Sequence, residues 1–212
     1  MREVVAGQGH SELLLPMVDE ILAEAGLALT QLDGIAFGSG PGSFTGLRIA
    51  CGVAQGLALG ADLPVLGICT LEALAEAAAV SAAQERVVAA LDARMGEIYH
   101  AAYHRDDNAW QAVSAPSLCL PQDAPPLSGT GWVVCGNGFA VYAEQLQACY
   151  RAQIASIAAP HQFPKTPHAR EIASLAAPRF LQGLGTDAAE AAPLYIRNKV
   201  ALKETERDWA DR

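Results

Sequence analysis

Apolar residues recur at intervals of three and four between Ser11 and Gly26: Leu14, Met17, Val18, Ile21, Leu22 and Ala25, with Glu12, Asp19, Glu20 and Glu24 between them. That spacing predicts an amphipathic helix ended by Gly26. Pro16 sits in an early turn, where it marks either a kink or the true start. Leu13 and Leu15 fall off the main stripe, so this helix has more apolar surface than one contact face needs. A second helix, Thr45 to Leu59, is apolar or small almost all round, with Arg48 and Gln55 its only long polar side chains. Such a helix must be covered all round. One stripe, Leu47, Cys51, Ala54 and Ala58, suits the chain's own sheet. Another, Gly52, Gly56 and Gly60, has no side chains and lets another backbone approach closely. Each glycine costs a helix about 1 kcal/mol relative to alanine, so their presence points to close packing. The cover is either another helix of this chain or a second subunit.

The remaining pattern alternates strands with helices. Residues 2–6 read as the tail of a strand and Gln31 to Phe37 as the next. The run Gly38-Ser39-Gly40-Pro41-Gly42-Ser43 then breaks both periodicities, and Ser43 or Thr45 caps the second helix. Pro64 to Ile68 is a buried strand, Leu71 to Ala79 an alanine-rich helix, and Ser81 to Glu85 a polar linker. VVAALDA from Val87 and the segment Glu97 to His104 form a hairpin around Asp92-Ala93-Arg94-Met95-Gly96, with a second turn over Arg105 to Asn108. Ala115 to Gly131, rich in Pro, Ser and Gly, is expected to wander over the surface. A strand Trp132 to Cys135 leads through Gly136-Asn137-Gly138 into a helix from Phe139 to about Arg151. Ile154 to Ala158 is a strand, and Ala169 to Gln182 a helix with Glu171 and Arg179 on its wet side. Leu184 to Ala192 is a loop and Pro193 to Val200 is extended. This order is α/β in two sub-lobes of mixed sheet with flanking helices, divided as residues 1–85, 86–192 and a tail 193–212.

Composition narrows the functions. Of 212 residues 51% are hydrophobic and 17% charged, enough for a substantial core. No uninterrupted apolar run of about 18 residues reads as a membrane span. MREVVAGQGHSE lacks a signal peptide's apolar core, so a cytoplasmic location is expected. Five scattered cysteines without a C-x-x-C pair give neither a disulfide framework nor a zinc site. A net charge of −9 is the wrong sign for a chain that holds nucleic acid by itself.

The glycine-rich stretch forms a candidate nucleotide or anion loop, Gly40, Gly42, Ser43 and Thr45, with Gly136 and Gly138 as its counterpart in the second lobe. It is not a P-loop, having no G-K-[ST] ending. It is not a Rossmann fingerprint, because the third glycine falls one late at Gly46. Nor is it a nucleophile elbow, since Gly46 lies three after Ser43. His100 and His104 have helical metal-pair spacing, but in a strand they stand about 13 Å apart. His10, His161 and His168 are isolated. Asp92, Arg94 and Glu97 form either a local salt bridge or a site facing the cleft between lobes. No metal site and no catalytic residue emerges.

Four ordered segments, GSGPGSFTGLRIACGVAQGLALG, LDARMGEIY (Leu91 to Tyr99), GNG (Gly136 to Gly138) and PLYIRNKVALK (Pro193 to Lys203), resemble the bacterial TsaB (YeaZ) family over nearly the whole chain. The resemblance implies the actin-like ATPase (RNase H-like) superfamily fold. It implies a non-catalytic partner of TsaD, which with TsaB and TsaE transfers threonylcarbamoyl from threonylcarbamoyl-AMP to the adenosine beside the tRNA anticodon. It implies no cofactor, tRNA contact only through the complex, and docking through the first two helices in a four-helix bundle. Leu14, Val18, Ile21, Ile49, Val53 and Leu57 are the expected contact residues, with homodimerisation through the same helices when TsaD is absent. TsaD-like chains carry an H-x-x-x-H metal pair where this sequence has Thr70 and Leu74, which cannot replace two imidazoles. A peptidase reading therefore lacks both metal and nucleophile. Family members also open with a strand bearing an acidic phosphate motif and a hairpin. Roughly two strands of that start are missing here, so ATP binding is not expected and the lone monomer is expected to be poorly stable. The competing reading is an actin-fold ATPase or kinase holding a nucleotide between its lobes.

Overall fold

The protein, seen in a computed structural model, is described over residues 1–4, 9–82, 85–107, 109–154 and 166–197. Its elements are α1 (His10–Ala25), β1 (Ile35–Gly40), α2 (Phe44–Ala61), β2 (Val65–Cys69), α3 (Thr70–Ala82), β3 (Arg86–Arg94), β4 (Glu97–Asp106), β5 (Ala109–Cys119), β6 (Val133–Cys135), α4 (Gly138–Val141), α5 (Ala143–Tyr150) and α6 (Ala169–Leu181).

Two sheets organise them. β1 and β2 pair in parallel, Ile35 opposite Val65, and the far edge of β2 is bridged by Thr186. α2 covers one face, where Phe37, Cys51, Ala54, Ala58 and Val65 form a cluster. α3 and α6 cover the other, with Ile68, Ala73, Ile172, Leu175 and Ala176 packed together. The second sheet runs β5-β4-β3-β6, antiparallel except for the parallel β3–β6 pair. β3 is buried on both faces from Val87 to Leu91, which is why those five residues are an unbroken apolar run. Leu71, Leu74, Ala75 and Ala78 of α3 pack on one side of it, and Phe139, Leu146 and Tyr150 on the other. α3 therefore serves both sheets. Small alanines suit a helix that must approach a sheet on each side.

Several expectations are corrected. Residues 1–4 form no strand; Arg2 instead pairs with Glu20 and Glu24 of α1. Residues 5 and 6 lie outside the described residues. The segment starting at Gln31 is a short helical turn, Leu29–Gln31, and the strand begins at Ile35 and continues through Gly38 to Gly40. Pairing with Ile68 and Cys69 overrides the poor strand propensity of those small residues. α3 runs through Ala82 into the stretch read as linker. β5 takes in Ala115 to Cys119, read as wandering; it is an edge strand, where Pro116 is tolerated. The helix expected from Phe139 is two helices broken at Tyr142. Arg179, expected on the wet side, is half-buried and pairs with Glu72 of α3. Of the strand expected from Ile154, only the Ile154 bridge to Trp132 is described.

Candidate functional site

α2 shows how the first two helices are used. The Ser43 side chain accepts a hydrogen bond from the Gly46 N–H (3.4 Å) and caps the helix, and Asp62 closes it in the left-handed region. Leu47, Cys51, Ala54 and Ala58 are its buried residues, the stripe expected to face the sheet. The long polar side chains are anchored. Gln55 donates to the carbonyls of Ala188 and Ala191, both at 3.1 Å, and Arg48 Nε donates to the Tyr195 hydroxyl at 2.9 Å. By length and composition α2 could cross a membrane. Its inner stripe and both anchors instead tie it into the fold.

The outer side is bare. Gly52, Gly56 and Gly60 are exposed, and a Cβ built on any of them meets nothing within 4 Å. Leu59 beside them is 77% exposed. α1 packs on α2 and leaves Leu13, Leu15, Ile21 and Leu27 exposed. Its end is a Gly26 cap, the Gly26 N–H reaching the Leu22 and Ala23 carbonyls and the Leu27 N–H reaching Leu22.

Between α1, α2, α6 and β1 lies an apolar groove of about 1240 Å³. Four of the six expected contact residues, Leu14, Val18, Val53 and Leu57, line it with Ile35 and Phe180. Ile21 is exposed, and Ile49 is half-buried. The structure thus brings four together in the groove and leaves the glycine stripe and Leu59 as the outward surface.

Each of the two glycine segments is set by its own neighbours. Gly40 has φ +124° at the end of β1, and a Cβ there would stand 2.9 Å from the Leu194 carbonyl oxygen. Leu194 N–H donates to the Ser39 carbonyl at 2.8 Å, so the segment from Pro193 lies against this loop. Gly42 has open space, and Thr45 is exposed in the first turn of α2. Gly136 (φ +92°) follows β6, and a Cβ there would collide with the Ala90 backbone; Gly138 starts α4 against the same residue. Asn137 Oδ1 accepts from the Asp92 N–H at 2.9 Å, and the Tyr142 hydroxyl donates to Asp92 at 3.1 Å. Asp92 also faces Arg94 at 3.4 Å, while Glu97 pairs with Arg197 at 2.7 Å. Sequence reasoning did not single out Phe44, Leu59, Tyr195 or Arg197. Leu59 has a local signal in the glycines that share its helix face, and Phe44, Tyr195 and Arg197 fall within two of the four segments that carry the resemblance.

The residues at the metal-pair positions serve the core. Thr70 Oγ1 donates to the Pro41 carbonyl at 2.5 Å, and Leu74 is fully buried. Among the described residues no group of three His, Cys, Asp or Glu side chains could hold a metal ion. Burial pushes the Cys119 thiol up to about 11 and the Cys135 thiol higher, away from the thiolate a nucleophile needs. His161 lies outside the described residues.

His100 is a buried neutral imidazole. The Tyr150 hydroxyl donates to the Pro125 carbonyl at 2.8 Å and so accepts from His100 Nε2, also at 2.8 Å, while Nδ1 has no partner among the described residues. Burial holds its pKa down at about 4. The unfolded chain takes up this proton near pH 6.5 and the folded one only near pH 4. The contribution of His100 to stability is therefore full above about pH 6.5 and falls as pH drops towards 4, by on the order of 3 kcal/mol. Urea unfolding across that window should show the slope, and His100→Gln should flatten it; equal slopes in both proteins refute the assignment.

Comparison with known proteins agrees with this architecture. A family model described as TsaD, tRNA N6-adenosine threonylcarbamoyltransferase, matches residues 4–205. The tRNA threonylcarbamoyladenosine biosynthesis protein TsaB of Haemophilus influenzae is 38% identical over 94% of this chain and 85% of its own length. The protein of the same description from Escherichia coli is 38% identical over 92% and 84%. Among solved structures, a Pseudomonas aeruginosa protein described as similar to peptidase YEAZ superposes with a TM-score of 0.81 at 37% identity, covering 92% of this chain and 87% of its own. YeaZ from Pseudomonas aeruginosa gives 0.78 at 38%, covering 91% and 86%. The fold is that of the actin-like ATPase superfamily. The chain belongs to its TsaB (YeaZ) family.

Proposed function

We propose that this protein is the non-catalytic scaffold subunit of tRNA threonylcarbamoyladenosine synthesis, acting in the cytoplasm. Its first two helices dock on TsaD, and TsaE joins at that pair. TsaD then carries out the transfer from threonylcarbamoyl-AMP to the tRNA adenosine. The observation that carries this reading is the bare outer side of α2, where Gly52, Gly56 and Gly60 meet nothing and Leu59 is open to solvent. Exposed apolar surface next to a stripe without side chains suits a closely approaching helix. The net charge of −9 favours an arrangement in which the partner holds the tRNA. Two copies pairing through the same face would be the state without TsaD.

The rival reading, a nucleotide held between the lobes, has less support, because Leu194 lies against the Gly40 loop and Ala90 against Gly136. The isolated chain should neither bind ATP with magnesium tightly in calorimetry nor transfer threonylcarbamoyl unaided. A tagged chain should retain TsaD through purification, and Leu59→Asp, at a largely exposed side chain, should lose it. Retention of TsaD by that variant overturns the docking face.

A further inference from the structure

The tip joining β3 to β4 is strained. Arg94, Met95 and Gly96 follow one another at φ +63°, +56° and +77°, and left-handed backbone costs a non-glycine residue on the order of 1 kcal/mol. The tip also displays its side chains outward, Arg94 and Met95 being largely exposed. A single guanidinium grips both sides of it. Arg197 Nη2 donates to the Ala93 carbonyl at 3.0 Å and to Glu97 Oε2 at 2.7 Å, and Nη1 reaches the Met95 sulfur at 3.3 Å. The Arg197 side chain is only 12% exposed.

Two residues back, the same segment is fastened to the first sheet and α2. Leu194 N–H bonds the Ser39 carbonyl. The Tyr195 hydroxyl accepts from Arg48, and its ring lies 5.8 Å from that of Phe44. Arg48 stacks over Phe44 at 3.8 Å. One short segment thus spans the first turn of α2 and the tip of the second sheet. Gly40 is shaped to receive it, since any side chain there would strike the Leu194 carbonyl.

We infer that Pro193–Arg197 is a latch: it holds the β3–β4 tip in its left-handed form and couples that form to the first turn of α2. Arg197 withdraws as the latch opens, the tip relaxes, and the fastening at Tyr195 and Leu194 slackens with it. The fold keeps its cores throughout, because neither end of the latch contributes to them.

Hydrogen exchange on the intact chain tests this from both ends. Arg197→Met removes the donors and keeps the apolar stem. It should speed amide exchange at Met95 to Glu97 by about tenfold, and at Phe44 to Leu47 by about threefold, as expected for local opening. Tyr195→Phe, altered at the other end, should speed exchange at the tip as well. Glu97→Gln, which leaves the segment itself untouched, should act like a weaker Arg197→Met. Acceleration confined in each variant to the end that was altered, or none at either end, overturns the latch.

Discussion

Replacing Gly52 and Gly56 together by alanine is expected to stabilise the isolated protein and weaken its hold on TsaD. The two effects have separate causes. Inside the chain, each new methyl group enters empty space, so no clash opposes the gain in helix propensity. Glycine costs a helix about 1 kcal/mol relative to alanine, partly through the freer unfolded chain, so the double variant gains about 2 kcal/mol. For a chain of this size that raises the melting temperature by about 4–8 °C. Across the proposed interface the same methyls hold the partner backbone off and forfeit close contacts along the stripe. Capture of TsaD should fall by at least about tenfold, and Gly56→Leu should abolish it. Stabilisation with undiminished capture would show that the glycine stripe is not where TsaD sits. No change in stability would contradict the open surroundings of both glycines.

Arg179→Met is expected to cost about 2–4 kcal/mol, a large effect for a surface-reaching residue. Its guanidinium pairs with Glu72, which lies on α3 between the two sheets and is only 7% exposed. Removing the arginine leaves a carboxylate buried without its cation. Since the Arg179 side chain is about a third exposed, water reaching the site lowers the penalty from the fully buried case. Changing both members, Glu72→Leu with Arg179→Met, removes the stranded charge and should recover most of the loss. Urea titration of the single and double variants decides the matter: a single-variant loss below about 0.5 kcal/mol, or a double variant no better than the single, would mean the pair is not what holds α6 to α3. Its neighbour Glu76 is better supplied, with Trp110 at 2.8 Å, Ser174 at 3.4 Å and Arg105 at 3.5 Å.

Features carried by periodicity were legible beforehand. The stripe Leu47, Cys51, Ala54 and Ala58 could be read from its spacing because a helix fixes which residues share a side, and all four are buried. The β3–β4 hairpin was legible because its tip falls in a polar, glycine-containing turn between two apolar runs. What periodicity cannot supply is the identity of the neighbour. Spacing puts Val53 and Leu57 on one apolar side of α2, where they line the groove beside β1, but a helix pattern alone does not name what fills that groove. β5 was missed because an edge strand needs little burial, so its composition resembles a loop. Glu72 and Arg179 stand 107 positions apart, and nothing local to either announces the other. The segment from Pro193 to Arg197 could be read as extended, but its contacts with Ser39, Arg48 and Glu97 exist only in the folded chain.

α3 has a consequence for how this polypeptide can be cut or recombined. Leu71, Leu74 and Ala78 complete the interior of the sheet that follows it, while Ala73 completes that of the sheet before it. A gene divided just after this helix would encode a first product with a greasy rod facing water and a second with one flank of its sheet stripped. Neither fragment is a module that evolution or an engineer could transplant; the two halves are inherited together because they share one wall.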